Sequence, residues 1–215
     1  METKLMKHID LLLERYPALE ACKKEIIHTY ECLEETYSNG KKLLVCGNGG
    51  SASDSEHIVG ELMKEFKLRR KVHDEQAIVM KTIDPDLGEI LGNNLQGALP
   101  AISLTAHSSL TTAFMNDSMP VLVFAQLVNG YGMEGDSFMG ISTSGNSMNV
   151  LYAAVTAKSK GLKVIALTGK YKSKLSKIAD VCIHVPETET YKIQELHLPV
   201  YHCLCLMLED HFFGN

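Results

Sequence analysis

The sequence predicts an α/β fold: a mainly parallel sheet with helices packed on both faces, preceded by two N-terminal helices. Three observations lead there. Five short apolar runs recur along the chain: "KKLLVCG" ending at Gly47, "PAISLT" at Thr105, "SFMGIST" at Thr143, "KVIALTG" at Gly169 and "DVCIHVP" at Pro186. They are apolar at consecutive rather than alternate positions, as strands buried on both faces are. Between them lie amphipathic stretches such as "NSMNVLYAAVTAKSKG", closed by Gly161, which is the strand–helix alternation of a parallel sheet.

The first forty residues read as a helical pair. Leu5, Ile9, Leu12, Leu13 and Tyr16 recur at helical spacing up to Pro17, and Leu19, Cys22, Ile26, Tyr30, Leu33 and Tyr37 continue a second stripe to the stop signal at 38–40. Such stripes cover a core or a partner subunit and carry no chemistry. Residues 67–98 fit the pattern least: a basic cluster, a Pro-Asp turn, two asparagines and several glycines suggest a long, partly helical excursion, a lid or a subunit contact, with disorder as the other reading. The last segment, "TYKIQELHLPVYHCLCLMLEDHFF", is a long apolar helix whose ladder Pro199 interrupts.

Composition bounds the function. At 215 residues and 45% hydrophobic, the chain is expected to form one domain, 1–215, around one core. A net charge of −5 and a pI of 6.0 give no electrostatic footprint for nucleic acid or anionic lipid. The N-terminus lacks the continuous apolar core of a signal peptide, and no apolar run is long enough to span a membrane. The six cysteines, at 22, 32, 46, 182, 203 and 205, sit in apolar segments with no CxxC pair, as buried free thiols do in a reducing compartment. A cytoplasmic protein acting on a small molecule or on another protein is the expectation.

In a parallel sheet, ligands bind beyond the carboxyl ends of the strands, so the loops there are the places to look. The first, "GNGGSAS", sets Asn48, Gly49, Gly50 and Ser51 at the start of a helix, where glycines allow close backbone approach and free N–H groups favour an anion. It matches neither GxGxxG nor the Walker GK[ST], so no nucleotide cofactor is expected; alone it is equally a tight strand-to-helix connection. The second, "GISTSGNS", gathers Ser142, Thr143, Ser144 and Ser147 around Gly145, again before a helix. Clustered hydroxyls and helix-start amides can hold a phosphate monoester without formal positive charge; a serine-rich turn with a helix cap is the alternative.

Two further groups carry chemistry. His57 and Glu61, four residues apart, share one face of the helix that begins in the first loop; they can share a metal, act on one substrate, or simply form a surface pair. In the last helix, Gln194 and His202 stand among apolar residues about 12 Å apart along a straight axis. They serve one site only if long side chains converge, the helix bends at Pro199, or two subunits contribute.

Taken together, "CGNGGS…H…E", "GISTSGNS", "LTGK" and "IQE…H" resemble the phosphoheptose isomerases of the sugar isomerase (SIS) superfamily, in the same order and across nearly the whole chain, with 67–98 outside the usual pattern. The resemblance implies an SIS-type three-layer sandwich with a five-stranded parallel sheet, assembled as a homotetramer with active sites at subunit interfaces. It implies interconversion of sedoheptulose 7-phosphate and D-glycero-D-manno-heptose 7-phosphate, the entry step to heptose. Asn48, Gly49, Gly50, Ser51, Asn116 and Asp117 would contact this phosphorylated sugar, and Ser142, Thr143, Ser144 and Ser147 would hold its phosphate. Glu61 and Gln194 would touch it too. His57, Glu61, Gln194 and His202 match the family's zinc positions, one ion per subunit, and Glu61 with His202 matches its acid–base pair. Glu65 stands where members usually carry a basic residue, and Tyr191 where an acidic one is common. Two other readings remain at this point: a non-catalytic adaptor like the DnaA initiator-associating protein of the same superfamily, which lacks the catalytic glutamate and final histidine, and an isomerase or sensor for another phosphosugar.

Overall fold

A computed structural model of the chain describes residues 3–214. The five apolar runs become five strands, β1 Leu43–Cys46, β2 Ala101–Ser103, β3 Ser137–Ile141, β4 Lys163–Thr168 and β5 Val181–His184. They form one sheet in the order β2-β1-β3-β4-β5, every pair parallel. Parallel strands need crossovers, and helices supply them. These are α3 Gly50–Met63, α4 Asp74–Ile83, α5 Pro85–Asn94, α6 Ser108–Asp117, α7 Val123–Tyr131, α8 Met148–Ser159 and α9 Lys174–Ile178. Ahead of the sheet run α1 Thr3–Arg15 and α2 Lys23–Ser38, joined by a 3-10 turn that starts at Pro17, and α10 Thr190–Phe213 closes the fold.

Alternate strand residues face opposite layers. Leu43, Val45, Met139, Ile141, Ile165, Leu167, Val181 and Ile183 pack against α1, α2, α3 and α10. Leu44, Cys46, Phe138, Val164 and Ala166 pack on the other face against α7, α8 and α9. Both faces are covered, which is why the strands read as unbroken apolar runs. The N-terminal stripe is accounted for in the same way: Leu5, Ile9, Leu12, Leu19 and Ile26 are all buried in the layer that α10 shares. The six cysteines are free thiols, five buried and Cys182 half-buried. Among the described residues no helix is long and apolar enough to cross a membrane.

Two sequence readings gain detail. The last segment is one helix, as expected: α10 runs through Pro199 for 24 residues in all, with Pro199 itself buried. Residues 67–98 are the partly helical excursion rather than a disordered one. They form an extended segment followed by a helical hairpin, α4 and α5, whose base is closed by an antiparallel bridge between Lys71 and Gln96. The Pro-Asp signal is the hairpin's turn: Pro85 opens α5, and the Asp84 side chain accepts from the Leu87 N–H at 2.9 Å to cap it.

Candidate active site

The first loop leaves β1 at Gly47 and enters α3 through Gly49, whose φ of +56° is the left-handed conformation that favours glycine. Gly47 is required for a different reason. A Cβ there would come within 2.4 Å of the Ser51 carbonyl oxygen. Ser51 is buried, while Asn48, Gly49 and Gly50 are exposed at the mouth of the sheet.

The second loop lies on the neighbouring strand, because β3 pairs with β1. Asn48 and Asn149, the latter in the first turn of α8, exchange two amide hydrogen bonds at 3.0 and 2.8 Å and so tie the loops together. The Ser142 and Ser147 hydroxyls lie 3.0 Å apart. Ser147 is the N-cap residue of α8, yet its side chain does not cap the helix. The start of α8 therefore offers backbone donors beside a pair of hydroxyls, the arrangement an anion takes up. Gly145, at φ +62°, packs so tightly on Ser173 that a Cβ would fall 2.1 Å from the Ser173 hydroxyl. Ser144 is exposed and accepts from the Asn146 N–H, and Thr143 accepts from the Gly169 N–H through its carbonyl, which brings in the loop after β4.

The histidine–carboxylate group sits two turns along α3. His57 is at its centre: Nε2 lies 3.1 Å from Glu61 Oε1 and 3.4 Å from Nε2 of His202, so the two imidazoles and the carboxylate form a chain with His57 in the middle. His202 reaches it from α10, its ring edge-on to His57 with centroids 5.0 Å apart. The other carboxylate oxygen of Glu61, Oε2, is buried without a hydrogen-bond partner. Burial, and then the facing His57, hold His202 below the ordinary histidine range, with Glu61 opposing. His202 is thus neutral near pH 7 and able to give or take a proton.

The remaining sequence candidates are placed as follows. Gln194 packs against the first loop: a Cβ on Gly50 would meet its amide nitrogen at 2.5 Å. It has no contact with His57, Glu61 or His202 among those the structure gives, so the two ends of α10 serve the two ends of α3. Asn116 and Asp117 lie at the exposed end of α6, hydrogen-bonded to each other at 2.8 Å. Among the described contacts none joins them to the loops or to the histidines.

The zinc expectation meets a mixed answer. Among the described residues no three His, Cys, Asp or Glu side chains are arranged to hold a metal ion. The donor set nevertheless suits zinc, with two imidazole nitrogens and a carboxylate in successive contact and one carboxylate oxygen, 3.8 Å from the Lys64 ammonium, that makes no hydrogen bond. Gln194 is not part of that set.

Sequence reasoning missed the groups that hold this site in place. Tyr201 stands beside His202 on α10, 2% exposed; its hydroxyl donates to Asp54 Oδ1 at 3.2 Å and lies 3.0 Å from Nδ1 of His57. Burial, with Asp54 beside it, pushes the phenol upward and so keeps it protonated. Below the site, Arg70 and Glu209 form an ion pair at 2.8 Å with both side chains essentially inaccessible. Arg70 also donates to the carbonyls of Leu62 at 2.8 Å and Glu61 at 3.0 Å, satisfying orphan acceptors at the end of α3. Glu209 takes the N–H groups of Phe66, Lys67 and Leu68 at 2.8 to 3.0 Å. Asp54 was available from spacing, since it precedes His57 by one turn on the same face. Nothing in the sequence pairs Arg70 with a residue 139 positions away.

His202 also lines a cleft of about 260 Å³ between α1 and α10, with His8, Arg15 and Tyr16 on its wall. A larger cleft, about 1180 Å³, lies between residues 65–74 and the α4–α5 hairpin and contains none of the sequence-derived candidates. Convergence of side chains, rather than size, identifies the site.

The likeness to known proteins runs the same way. Residues 96–169 match the SIS domain family. A phosphoheptose isomerase from a Nitratiruptor species is 37% identical over 97% of this chain and 100% of its own length, a span that takes in residues 67–98. One from Aneurinibacillus thermoaerophilus is 38% identical over 84% of this chain and 78% of its own. Among solved structures, a phosphoheptose isomerase from Neisseria gonorrhoeae is 30% identical with a TM-score of 0.70, covering 94% of this chain and 96% of that one. Another, from Francisella tularensis, is 27% identical with a TM-score of 0.72, covering 98% and 100%. With its sheet order, paired loops and histidine–carboxylate chain in place, the protein belongs to the phosphoheptose isomerase family.

Proposed function

We infer that the chain is an aldose–ketose isomerase that interconverts sedoheptulose 7-phosphate and D-glycero-D-manno-heptose 7-phosphate through an enediol, with Glu61 and His202 as its acid–base pair. The observation that carries the reading is the contact chain Glu61–His57–His202, set two helical turns from the glycine loop. Seven residues separate Gly50 from His57, about 10 Å along α3, the length scale of an extended sugar phosphate. A phosphate held by Ser142, Thr143, Ser144, Ser147 and the start of α8 leaves the sugar's other end at Glu61. Asn48, Gly49, Gly50, Ser51 and Gln194 line the path between; Asn116 and Asp117 complete the proposed substrate contacts.

Moving the carbonyl from C2 to C1 requires a base to take the C1 proton and an acid to protonate the C2 oxygen as the enediol forms. Glu61 is the base: its Oε2 makes no hydrogen bond, with the Lys64 ammonium 3.8 Å away, and can receive the proton. His202 supplies the proton to O2. In the second half Glu61 returns its proton to C2 while the C1 hydroxyl gives its proton to His202, so that both groups regain their starting states and the aldose is complete. A zinc ion held by His57, Glu61 and His202 would polarise the carbonyl. The enzyme acts in the cytoplasm as a homotetramer; the free thiols and the exposed apolar surface of α4 and α5 support those two points.

Incubating the pure protein with sedoheptulose 7-phosphate and separating the isomers tests the reading. The aldose accumulates with wild type and is lost with Glu61→Gln. A protein that leaves the ketose untouched is an adaptor instead, and one that prefers a shorter ketose phosphate has another sugar as its substrate.

A further inference from the structure

We propose that the loop after β4 is the second half of the phosphate site, with Lys170, Lys172 and Lys174 supplying the positive charge that the serine loop lacks. A phosphate monoester is close to a dianion at neutral pH, its second pKa being about 6. The chain that must attract it carries a net charge of −5. The serine loop offers amides and hydroxyls only: no lysine or arginine occurs in "GISTSGNSMN", residues 140–149. The neighbouring loop has the reverse composition. "GKYKSK", residues 169–174, holds three lysines and no acid.

Backbone contacts set the two loops against each other. β4 pairs in parallel with β3, so both loops leave the same edge of the sheet. The Gly169 N–H donates to the Thr143 carbonyl at 3.0 Å, the Leu175 N–H to the Gly145 carbonyl at 3.0 Å, and the Lys174 N–H to Oδ1 of Asn146 at 3.1 Å. The lysine loop is thus fastened to the serine loop at both of its ends. Ser173 is buried against Gly145, while Lys170, Lys172 and Lys174 are exposed. Among the described residues none of their three ammonium groups has an ion-pair or hydrogen-bond partner, whereas Lys158 of α8 and Lys192 of α10 are held by Asp180 and Glu189. Glu187, whose carbonyl takes the Lys170 N–H at 3.0 Å, turns its Oε2 to the Thr188 N–H at 3.3 Å. Uncompensated cations beside a set of neutral donors favour a dianion over a neutral sugar, by an attraction that salt screens.

The proposal rests on the reading of the serine loop and the start of α8 as the place where phosphate binds, and the test separates the two. Inorganic phosphate is titrated calorimetrically into full-length protein at pH about 8, where it is a dianion, in about 0.01 M and about 0.15 M salt. Turnover of sedoheptulose 7-phosphate is measured beside it. Lys170→Gln with Lys172→Gln and Lys174→Gln should raise the phosphate Kd and the sugar KM together, by roughly 10-fold at the lower salt and roughly 3-fold at the higher, with kcat little changed. Lys41→Gln with Lys160→Gln and Lys163→Gln removes the same charge at the opposite end of the strands and should leave both constants within about 2-fold of wild type. Ser142→Ala with Ser147→Ala should weaken phosphate binding at either salt. Equal losses in the two lysine variants, or a loss that salt does not shrink, overturn the proposal. Phosphate binding that ignores the serine substitutions overturns it as well, because the anion is then held elsewhere. Phosphate binding that depends on the lysines, without turnover, would overturn the isomerase and leave the site intact; turnover with a KM indifferent to the lysines would overturn the site and leave the isomerase.

Discussion

Two regions follow Glu61 along the chain, and they are built on opposite terms. The segment from Glu61 to Val72 folds back onto α10, where Arg70 and Glu209 share three and four hydrogen bonds respectively at nearly complete burial. The hairpin that comes next, α4 and α5, packs chiefly on itself. Gly88 is the only buried residue in either helix, and Ile78, Val79, Ile83, Leu87 and Ile90 are between 57% and 80% exposed. Polar groups are thus hidden and satisfied in the first region, and apolar groups displayed in the second. The first arrangement serves the site directly, since it fixes the end of the helix that carries Glu61 and the helix that carries His202. The second does nothing for the site within one chain.

The largest effect should come from breaking the satisfied region. Arg70→Met removes one partner of a buried pair and leaves Glu209 charged without its counter-ion, a change that costs about 3 to 5 kcal/mol. It also frees the carbonyls of Glu61 and Leu62. Denaturant unfolding should show the loss, and residual folded enzyme should turn over more slowly because Glu61 is no longer held. A variant with wild-type stability would mean that the network contributes nothing net.

A buried polar group that is not satisfied sharpens the contrast. His197, on α10 beneath the β4 loop, is wholly buried, and neither ring nitrogen reaches a hydrogen-bond partner. Burial lowers its pKa from 6.5 to about 4, with the backbone of Thr168 lying near enough to oppose the shift. The folded value lies below the unfolded one, so the unfolded chain takes the proton first. His197 therefore costs no stability through protonation above about pH 6.5, and stability is lost as the pH falls toward 4, on the order of 3 kcal/mol in all. Urea midpoints should drop between pH 7 and pH 5 for wild type and drop distinctly less for His197→Leu. Equal drops would show that the imidazole is not the acid-sensitive group.

How much of this was legible in the sequence follows from the range of the forces involved. The five strands were, because a sheet buried on both faces leaves an unbroken apolar run, and so were the two loops, because glycines and hydroxyls at strand ends have few other uses. His57 with Glu61 was, because a spacing of four is local. The excursion was legible only as partly helical with a Pro-Asp turn; its packing was not, because a hairpin whose apolar residues face outward has no core face for the sequence pattern to mark. Tyr201 was hidden for the opposite reason, sitting among apolar neighbours that account for it as packing. The separation of Gln194 from His202 depends on α10 running on through Pro199, which local propensity argues against.

The close approach inside the hairpin gives the third way to test the comparison. A Cβ on Gly88 would come within 2.4 Å of the Lys81 backbone nitrogen, and one on Gly92 within 3.1 Å of the Ala77 side chain. Gly88→Ala should push α4 and α5 apart. Since the hairpin buries little against the sheet, the effect should stay local, with faster amide exchange across 74–94 and the main unfolding transition nearly unmoved. A cooperative fall in global stability would show that the hairpin is part of the core after all.

The smallest expected effect is the most telling about what the hairpin is for. Ile83 and Leu87 flank the Asp84 turn at 80% and 60% exposure. Replacing both with serine removes apolar surface that already faces outward, so the chain's own stability should change by no more than about 0.5 kcal/mol. A row of displayed isoleucines and leucines is nonetheless costly to leave in water, and patches of that kind on soluble proteins mark contacts with other molecules. If copies of this chain cover that surface in the proposed tetramer, Ile83→Ser with Leu87→Ser should lower the mass measured by light scattering while the unfolding midpoint of the dissociated chain holds. An unchanged mass would show that the hairpin makes no contact between copies and is turned toward solvent.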